Sequence, residues 1–146
     1  MNDKLTAEQI LAEKGKLVDT TFGLSMYPLL KDRRDTVVIK RCNGRLKRYD
    51  VPLYRRGDQL VLHRVVNVFD NYYIICGDNC IGLEKVYDSQ IIGVLSAFYR
   101  KDKFYTVDST AYKIYSRLWV ALYYPRLVYK RSRELLSKIK HKIKGD

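Results

Sequence analysis

A serine, a histidine and several carboxylates are the residues of this chain that can carry out catalysis together. Ser25 lies in SMYP (25–28), His63 in LVLHRVV (60–66) and Asp78 in GDN (77–79). A serine hydroxyl becomes an effective nucleophile when a base removes its proton, and an imidazole is best suited to this when a third group fixes its tautomer. Each stretch alone is also typical of ordinary turns and strands. Their order along the chain is what favours nucleophilic catalysis.

In that order the motifs resemble those of the superfamily of type I signal peptidases and self-cleaving SOS-type repressors. The similarity is to the archaeal and endoplasmic-reticulum signal peptidases, which have histidine where typical bacterial enzymes have lysine. SMYP is similar to the nucleophile box, LVLHRVV to the base box and YIICGDN (73–79) to the acidic box. RRDTVVI (33–39), YDVPLY (49–54) and IIGVLSAFY (91–99) resemble strands of the same fold. The resemblance covers about residues 15–100.

The resemblance implies a role for each matching residue. Ser25 would be the nucleophile and His63 the general base, with Asp78 near the site. In the histidine-type enzymes the acid of the triad lies a few residues further on, where this chain has Glu84, and the next carboxylate is Asp88. A glutamate can orient an imidazole as an aspartate does. We therefore expect Glu84 as the third member, with Asp78 and Asp88 left open as alternatives.

Two positions depart from the family pattern. The family usually has Ser-Gly-Ser at the nucleophile, where the first serine can stabilise the oxyanion, but this chain has Gly23-Leu24-Ser25. Oxyanion stabilisation would then depend on backbone N–H groups, and losing one donor typically costs about 10²–10³ in rate. Tyr27 also stands where the family often has an acidic residue. The sequence therefore allows a slow enzyme.

The patterning predicts three segments. Thr6 and Gln9 form a capping box that opens a helix over residues 7–14, so residues 1–14 are taken as an N-terminal helix. Residues 15–108 contain short β-branched and aromatic runs separated by Gly, Asn and Asp turns. The predicted strands are KLVDTTFG, TVVIK, DVPLY, QLVLHRVVNVF, YYIIC, QIIGVLSAFYR and KFYTV. We predict a mainly β, compact antiparallel fold with a short N-terminal helix and two C-terminal helices.

Residues 109–146 are predicted to be a basic helical tail. Ser109 can cap a helix in which Ile114, Leu118 and Leu122 recur every four residues, and Pro125 interrupts or restarts it. The following segment places Val128, Leu135, Ile139 and Ile143 on one side among many lysines and arginines. This amphipathic helix can lie on an anionic membrane, or both helices can pack on the β domain with a solvated basic face.

Composition limits the function classes. The 146 residues suffice for one domain, 47% are hydrophobic, and no apolar run is long enough to span a bilayer. The N-terminus lacks the apolar region of a secretory leader. The net charge of +12 indicates an anionic partner. We expect a cytoplasmic or peripherally membrane-associated protein.

The cysteines and tyrosines argue against two kinds of site. Cys42, Cys76 and Cys80 are an odd number, so reduced thiols are expected, and Cys76 with Cys80 lacks the further ligands of a zinc site. No cofactor or metal is expected. Nucleic acid is not an expected partner, because the tyrosines alternate along strands as core residues do.

Three functions remain open at this point. The first is a serine endopeptidase that cleaves leader or signal-like peptides and docks on a membrane or a peptide exporter. The second, a self-cleaving repressor, is disfavoured because too few residues precede Ser25 for a helix-turn-helix domain and no Ala-Gly or Cys-Gly pair lies upstream. The third is a catalytically weak or inactive binding module with the same fold, docking through its basic C-terminal helix.

Overall fold

The computed structural model describes residues 5–145. A short helix, nine strands and two consecutive helices follow one another along these residues. In order they are α1 (Ala7–Lys14), β1 (Lys16–Thr20), β2 (Asp35–Lys40), β3 (Pro52–Arg56), β4 (Gln59–Leu62), β5 (Arg64–Val68), β6 (Tyr72–Cys76), β7 (Glu84–Tyr87), β8 (Ile91–Arg100), β9 (Lys103–Thr106), α2 (Thr110–Ala121) and α3 (Tyr123–Lys144). One 3₁₀ turn (Asp88–Gln90) precedes β8.

The strands form two antiparallel sheets. Six strands make the larger sheet, in the order β1-β2-β8-β3-β4 with β9 also paired to β8, while β5, β6 and β7 make the smaller one. Strands β1 and β4 are therefore the two ends of the main path. This architecture confirms the predicted mainly β class with one N-terminal and two C-terminal helices.

Both predicted helix caps are present. The Thr6 hydroxyl accepts from the Gln9 backbone N–H, and the Gln9 side chain accepts from the Thr6 N–H, which completes the capping box of α1. The Ser109 hydroxyl accepts from the Tyr112 N–H at the start of α2. Pro125 lies in the first turn of α3, where a proline removes no intrahelical hydrogen bond. It restarts the helix rather than ending it.

One strand prediction was wrong, and one strand was not predicted. The run QLVLHRVVNVF is not one strand, because Leu62 pairs with Leu53 in the larger sheet while Arg64 pairs with Cys76 in the smaller one. His63 lies at the point where the chain passes between the sheets. Strand β7, which carries Glu84, was not predicted, because only Val86 of its four residues is buried and its position depends on pairing with β6.

Two hydrophobic clusters hold the fold together. One lies under the larger sheet and is formed by Leu11, Met26, Leu29, Leu30, Val37, Ile39, Val51, Leu95, Phe98 and Tyr112. The other packs against the smaller sheet and is formed by Leu46, Tyr54, Val65, Tyr73, Ile75 and Val86. The Ser25 loop is thus anchored in the first cluster and Tyr54 in the second.

The two C-terminal helices differ in how they are packed. Helix α2 buries Tyr112, Ser116 and Val120, and α3 buries only Tyr123. Every residue from 131 to 145 is exposed. Within residues 5–145 no helix has the length and apolar character that crossing a membrane requires.

Candidate active site

Ser25 lies in the loop between β1 and β2, and its neighbours fix the loop. The side chains of Met26, Leu29 and Leu30 are buried in the core on its C-terminal side. At the base of the loop, the Thr21 hydroxyl donates to the carbonyl oxygen of Lys31 at 3.1 Å. Ser25 itself is half-buried. The loop is therefore held from below while the serine remains within reach of a ligand.

The backbone explains why residue 23 is a glycine. Gly23 has φ of +88°, a left-handed conformation that costs a residue with a Cβ roughly 1–2 kcal/mol. Its N–H donates to Asp32 Oδ1 at 2.6 Å. The serine that the family places here would be strained in this loop.

Backbone donors are nevertheless available beside the serine. Within residues 5–145, the N–H groups of Leu24, Ser25 and Met26 make no hydrogen bond to another protein group. Unpaired amides next to a nucleophile are the kind of donor that stabilises an oxyanion. The loop can therefore supply an oxyanion site from its backbone.

Gly77 brings the serine loop and the histidine together. A Cβ at this position would stand 2.7 Å from the Ser25 carbonyl oxygen, 2.9 Å from Cys80 Sγ and 3.1 Å from His63 Cδ2. The Asn79 N–H also donates to the Ser25 carbonyl at 2.8 Å. The Gly-Asp-Asn stretch thus packs directly between the Ser25 backbone and the His63 ring, which only a glycine permits.

One cavity connects these residues to an apolar groove. It has a volume of about 690 Å³, and its polar lining includes Ser25, Arg56, His63 and Cys80. The apolar lining comes from α1, from strands β1 to β4 and from the Ser25 loop, so both end strands of the larger sheet border the cavity. The two predicted catalytic residues therefore face the same space.

His63 is held through Tyr54 rather than by a carboxylate directly. The Tyr54 hydroxyl lies 3.2 Å from His63 Nδ1 and donates to Glu84 Oε2 at 2.7 Å. Arg56 Nε donates to Glu84 Oε1 at 2.8 Å, and Arg56 Nη2 donates to the Tyr54 oxygen at 3.2 Å. Glu84 is thus connected to the imidazole with one tyrosine between them.

The donors in this network determine the tautomer of His63. The single proton of the Tyr54 hydroxyl is directed at the Glu84 carboxylate, which can only accept. The Tyr54 oxygen must then accept from His63, so Nδ1 carries the proton and Nε2 keeps its lone pair. This is the tautomer that a histidine needs to act as a base through Nε2.

Burial and charge keep the imidazole neutral. His63 is 8% exposed, and burial lowers its pKa below the ordinary value of 6.5, with the positive charge of Arg56 lowering it further. The Arg56 hydrogen bonds hold the pKa of Glu84 below its usual range, with Tyr54 adding to the effect. Near neutral pH the site therefore contains a free imidazole base and an ionised glutamate.

Ser25 and His63 are neighbours without a direct hydrogen bond. Within residues 5–145, the Ser25 hydroxyl has no hydrogen-bond partner, and His63 Nε2 has none either. Such bonds are often long in a free enzyme and shorten when substrate is bound. Proton transfer at this site requires the two side chains to approach each other.

Asp78 makes its contacts away from His63. Its carboxylate accepts hydrogen bonds from both Nε and Nη2 of Arg64 at 2.8 Å, and both side chains are fully buried. The Tyr115 hydroxyl of α2 donates to Asp78 Oδ2 at 2.8 Å. Every oxygen of this carboxylate is occupied by structural partners. Asp78 thus positions the loop next to the site.

The loop that carries Asp78 is held by both C-terminal helices. Trp119 Nε1 and Arg126 Nη1 donate to the Asp78 carbonyl oxygen at 2.7 and 2.6 Å. The Tyr123 hydroxyl donates to the Ile81 carbonyl at 2.6 Å, and Lys130 Nζ donates to the Asn79 carbonyl. Residues 78–81 are therefore fixed on one side by helices α2 and α3 and contact the Ser25 loop on the other.

Asp88, the remaining carboxylate, lies elsewhere. It accepts hydrogen bonds from the hydroxyl of Tyr73 and from Arg45. It borders a separate pocket that contains neither Ser25 nor His63. Of the three predicted carboxylates, Glu84 is the one that is connected to the histidine.

Three residues of the site were not predicted from the sequence. Tyr54 and Arg56 are two positions apart on β3, so strand alternation places them on one face, but the sequence does not show what that face meets. From the sequence, Cys80 is only a candidate metal ligand. All three cysteines are unpaired, and Cys80 is the one that lines the cavity.

No group of three or more His, Cys, Asp or Glu residues within residues 5–145 is arranged to hold a metal.

No protein-family model matches this chain, and no curated protein matches it. The resemblance to signal peptidases therefore rests on the sequence motifs alone.

Proposed function

We propose that this protein is a serine endopeptidase of the signal-peptidase-like type that cleaves leader or signal-like peptides. Ser25 attacks the scissile carbonyl carbon while His63 Nε2 takes the hydroxyl proton. The tetrahedral oxyanion accepts hydrogen bonds from the backbone N–H groups near Ser25, and the peptide bond breaks as the imidazolium gives its proton to the leaving amine. Water that His63 deprotonates then hydrolyses the acyl-serine and restores the free hydroxyl. The observation that carries the proposal is the Glu84–Tyr54–His63 chain, which leaves Nε2 as a neutral base in the cavity that Ser25 also lines.

The groove supports an extended peptide as the substrate. Strands β1 and β4 end the main path of the larger sheet, and Leu17 of β1 and Leu60 of β4 both line the cavity. A peptide can add to such an edge through its backbone while pockets receive alternate side chains. The apolar lining favours a substrate with apolar residues beside the cleavage site.

A binding module with little catalysis is the second candidate. It is favoured by the glycine at position 23, which removes a side-chain oxyanion donor, and by the absence of a hydrogen bond between Ser25 and His63 in the described chain. In that case the same groove would hold a peptide without cleaving it.

Incubation with a proteome-derived peptide library distinguishes the two candidates, with new peptide termini read by mass spectrometry. We expect the wild type to create new termini, and Ser25→Ala and His63→Ala to create none. Tyr54→Phe should lower kcat about tenfold with little change in KM, since it removes one buried hydrogen bond to the base. Ser96→Ala and His141→Ala, which change the same residue types outside the cavity, should cleave normally.

Circular dichroism of each variant checks that folding is retained. Equal cleavage by the wild type and Ser25→Ala would show that Ser25 is not the nucleophile. A folded wild type that cleaves no peptide but retains some on a column would favour the binding module.

A further inference from the structure

We propose that α3 is an interfacial helix that binds an anionic lipid surface through its exposed apolar face. The proposal is independent of the peptidase chemistry, because it concerns residues 124–144 and none of the groove residues. Val128 is 64% exposed, Leu135 60% and Ile143 70%, although each is a large apolar side chain. Such a face is costly in water and indicates a partner.

The exposed apolar side chains of α3 lie on one face, which also contains Pro125 and Ser132. At about 100° per residue, the members fall within an arc of about 140°. They are Tyr124, Val128, Tyr129, Leu135, Leu136, Ile139 and Ile143, and all are exposed. A face of this width is typical of a helix lying in a membrane interface.

The face points away from the β domain. The residues that attach α3 to loop 78–81 are Tyr123, Arg126 and Lys130. On the helical wheel they lie roughly opposite the centre of the apolar arc. The attachment therefore leaves the apolar face free.

Basic residues border the apolar arc on both sides. Arg131, Lys138 and Lys142 lie along one margin, and Arg133, Lys140 and Lys144 lie along the other. Long basic side chains at these positions can reach lipid phosphates while the apolar residues enter the acyl region. Charge complementarity thus selects an anionic surface.

The same charges argue against a second copy of the chain as the occupant. Helix α3 contains eight Lys or Arg residues and one Glu, a net charge of +7. Pairing two such helices would bring these charges together, and the wide apolar arc does not match the narrow seam of a coiled coil. A lipid surface instead neutralises the charges.

Vesicle flotation of the full chain tests the proposal. The vesicles are phosphatidylcholine alone, or two parts phosphatidylcholine to one part phosphatidylglycerol. We expect flotation with the anionic vesicles at about 0.1 M salt, loss of most of it at about 1 M, and little with the neutral vesicles. The measurement is made on Ser25→Ala, so a failed peptidase assay does not affect it.

Two variants that add the same charge to α3 provide the matched comparison. Ile139→Asp places a carboxylate in the apolar arc and should weaken vesicle affinity at least about tenfold. Ser137→Asp places one on the opposite side and should weaken it at most about fivefold, the value for one unit of charge. Equal effects, or flotation that salt and lipid charge do not change, would overturn the proposal. Dimers in sedimentation that Ile139→Asp dissociates, without flotation, would make a second copy the occupant and would also overturn it.

Discussion

The imidazole of His63 has one ring nitrogen available for chemistry, because Tyr54 holds the other. The tyrosine hydroxyl donates to Glu84 and accepts from His63. The Tyr54 oxygen therefore orients the imidazole, a role that a carboxylate usually has. Arg56 pairs with Glu84 and lies near the ring. The pKa of His63 is thus lowered by burial and by the charge of Arg56, while the charges of Glu84 and Asp78 oppose this.

The position of Arg56 leads to a pH prediction. In Arg56→Gln the positive charge that lowers the pKa of His63 is lost and the Glu84 charge is no longer paired. Both changes raise the pKa of His63, so the acid limb of kcat/KM should move to higher pH. In the wild type that limb lies below pH 6.5, the ordinary histidine value, because the pKa is lowered. The measurement is cleavage rate against pH.

Arg55→Gln is the control for this experiment. Arg55 is the neighbouring residue on β3 and forms an ion pair with Glu8 at the surface. Its substitution should leave the acid limb in place. An acid limb that stays in place in Arg56→Gln, or moves to lower pH, would show that His63 is not the base.

At the scale of elements, loop 78–81 connects the Ser25 loop to the C-terminal helices. On one side Asn79 donates to the Ser25 carbonyl, and on the other Trp119 and Arg126 donate to the Asp78 carbonyl. The buried Arg64–Asp78 pair holds the loop from beneath. The loop is a structural support for the serine rather than a source of catalytic groups.

The Asp78–Arg64 pair leads to a stability prediction. Asp78→Asn keeps the shape but leaves the Arg64 guanidinium buried without its counter-charge, and such a change costs about 3–5 kcal/mol. We therefore expect a lower free energy of unfolding in urea. Asp102→Asn, in the exposed turn before β9, should change it by less than about 0.5 kcal/mol. If the two variants unfold at the same urea concentration, the pair contributes little to the fold.

At the scale of the whole molecule, the charge is concentrated where the fold is least packed. Of the net charge of +12, residues 101–146 contribute +8. Within them, α2 and the first turns of α3 pack against loop 78–81, while residues 131–145 are exposed. The C-terminal part therefore has one half that packs against loop 78–81 and one exposed half, to which we assign the proposed lipid binding.

Two truncations separate these halves. A chain ending at Ser132 keeps Tyr123, Arg126 and Lys130, so we expect near-normal cleavage and thermal stability but loss of vesicle flotation. A chain ending at Leu122 also loses the hydrogen bonds to loop 78–81. It should therefore unfold at a lower temperature and cleave more slowly. Equal cleavage rates for the two chains would mean that α3 does not support the site.

Much of the secondary structure of this protein can be predicted from its sequence, because it depends on interactions between residues close together in the chain. The capping box at Thr6, the Ser109 cap, the alternating strands and the amphipathic tail each depend on residues close together in the chain. The order of Ser25, His63 and the Gly-Asp-Asn stretch likewise identified the candidate site residues. These features need no long-range contact, and the predicted class was confirmed.

Only the tertiary structure shows that Glu84, the expected third member, is connected to His63 through Tyr54. Glu84 lies close enough to share Tyr54 with His63 because β7 pairs with β6 and the chain changes sheets at residue 63. Tyr54, which lies between His63 and Glu84, belongs to β3, a strand of the other sheet. The pairing of distant strands is set by packing of the whole core, so spacing along the chain places neither the tyrosine nor the carboxylate.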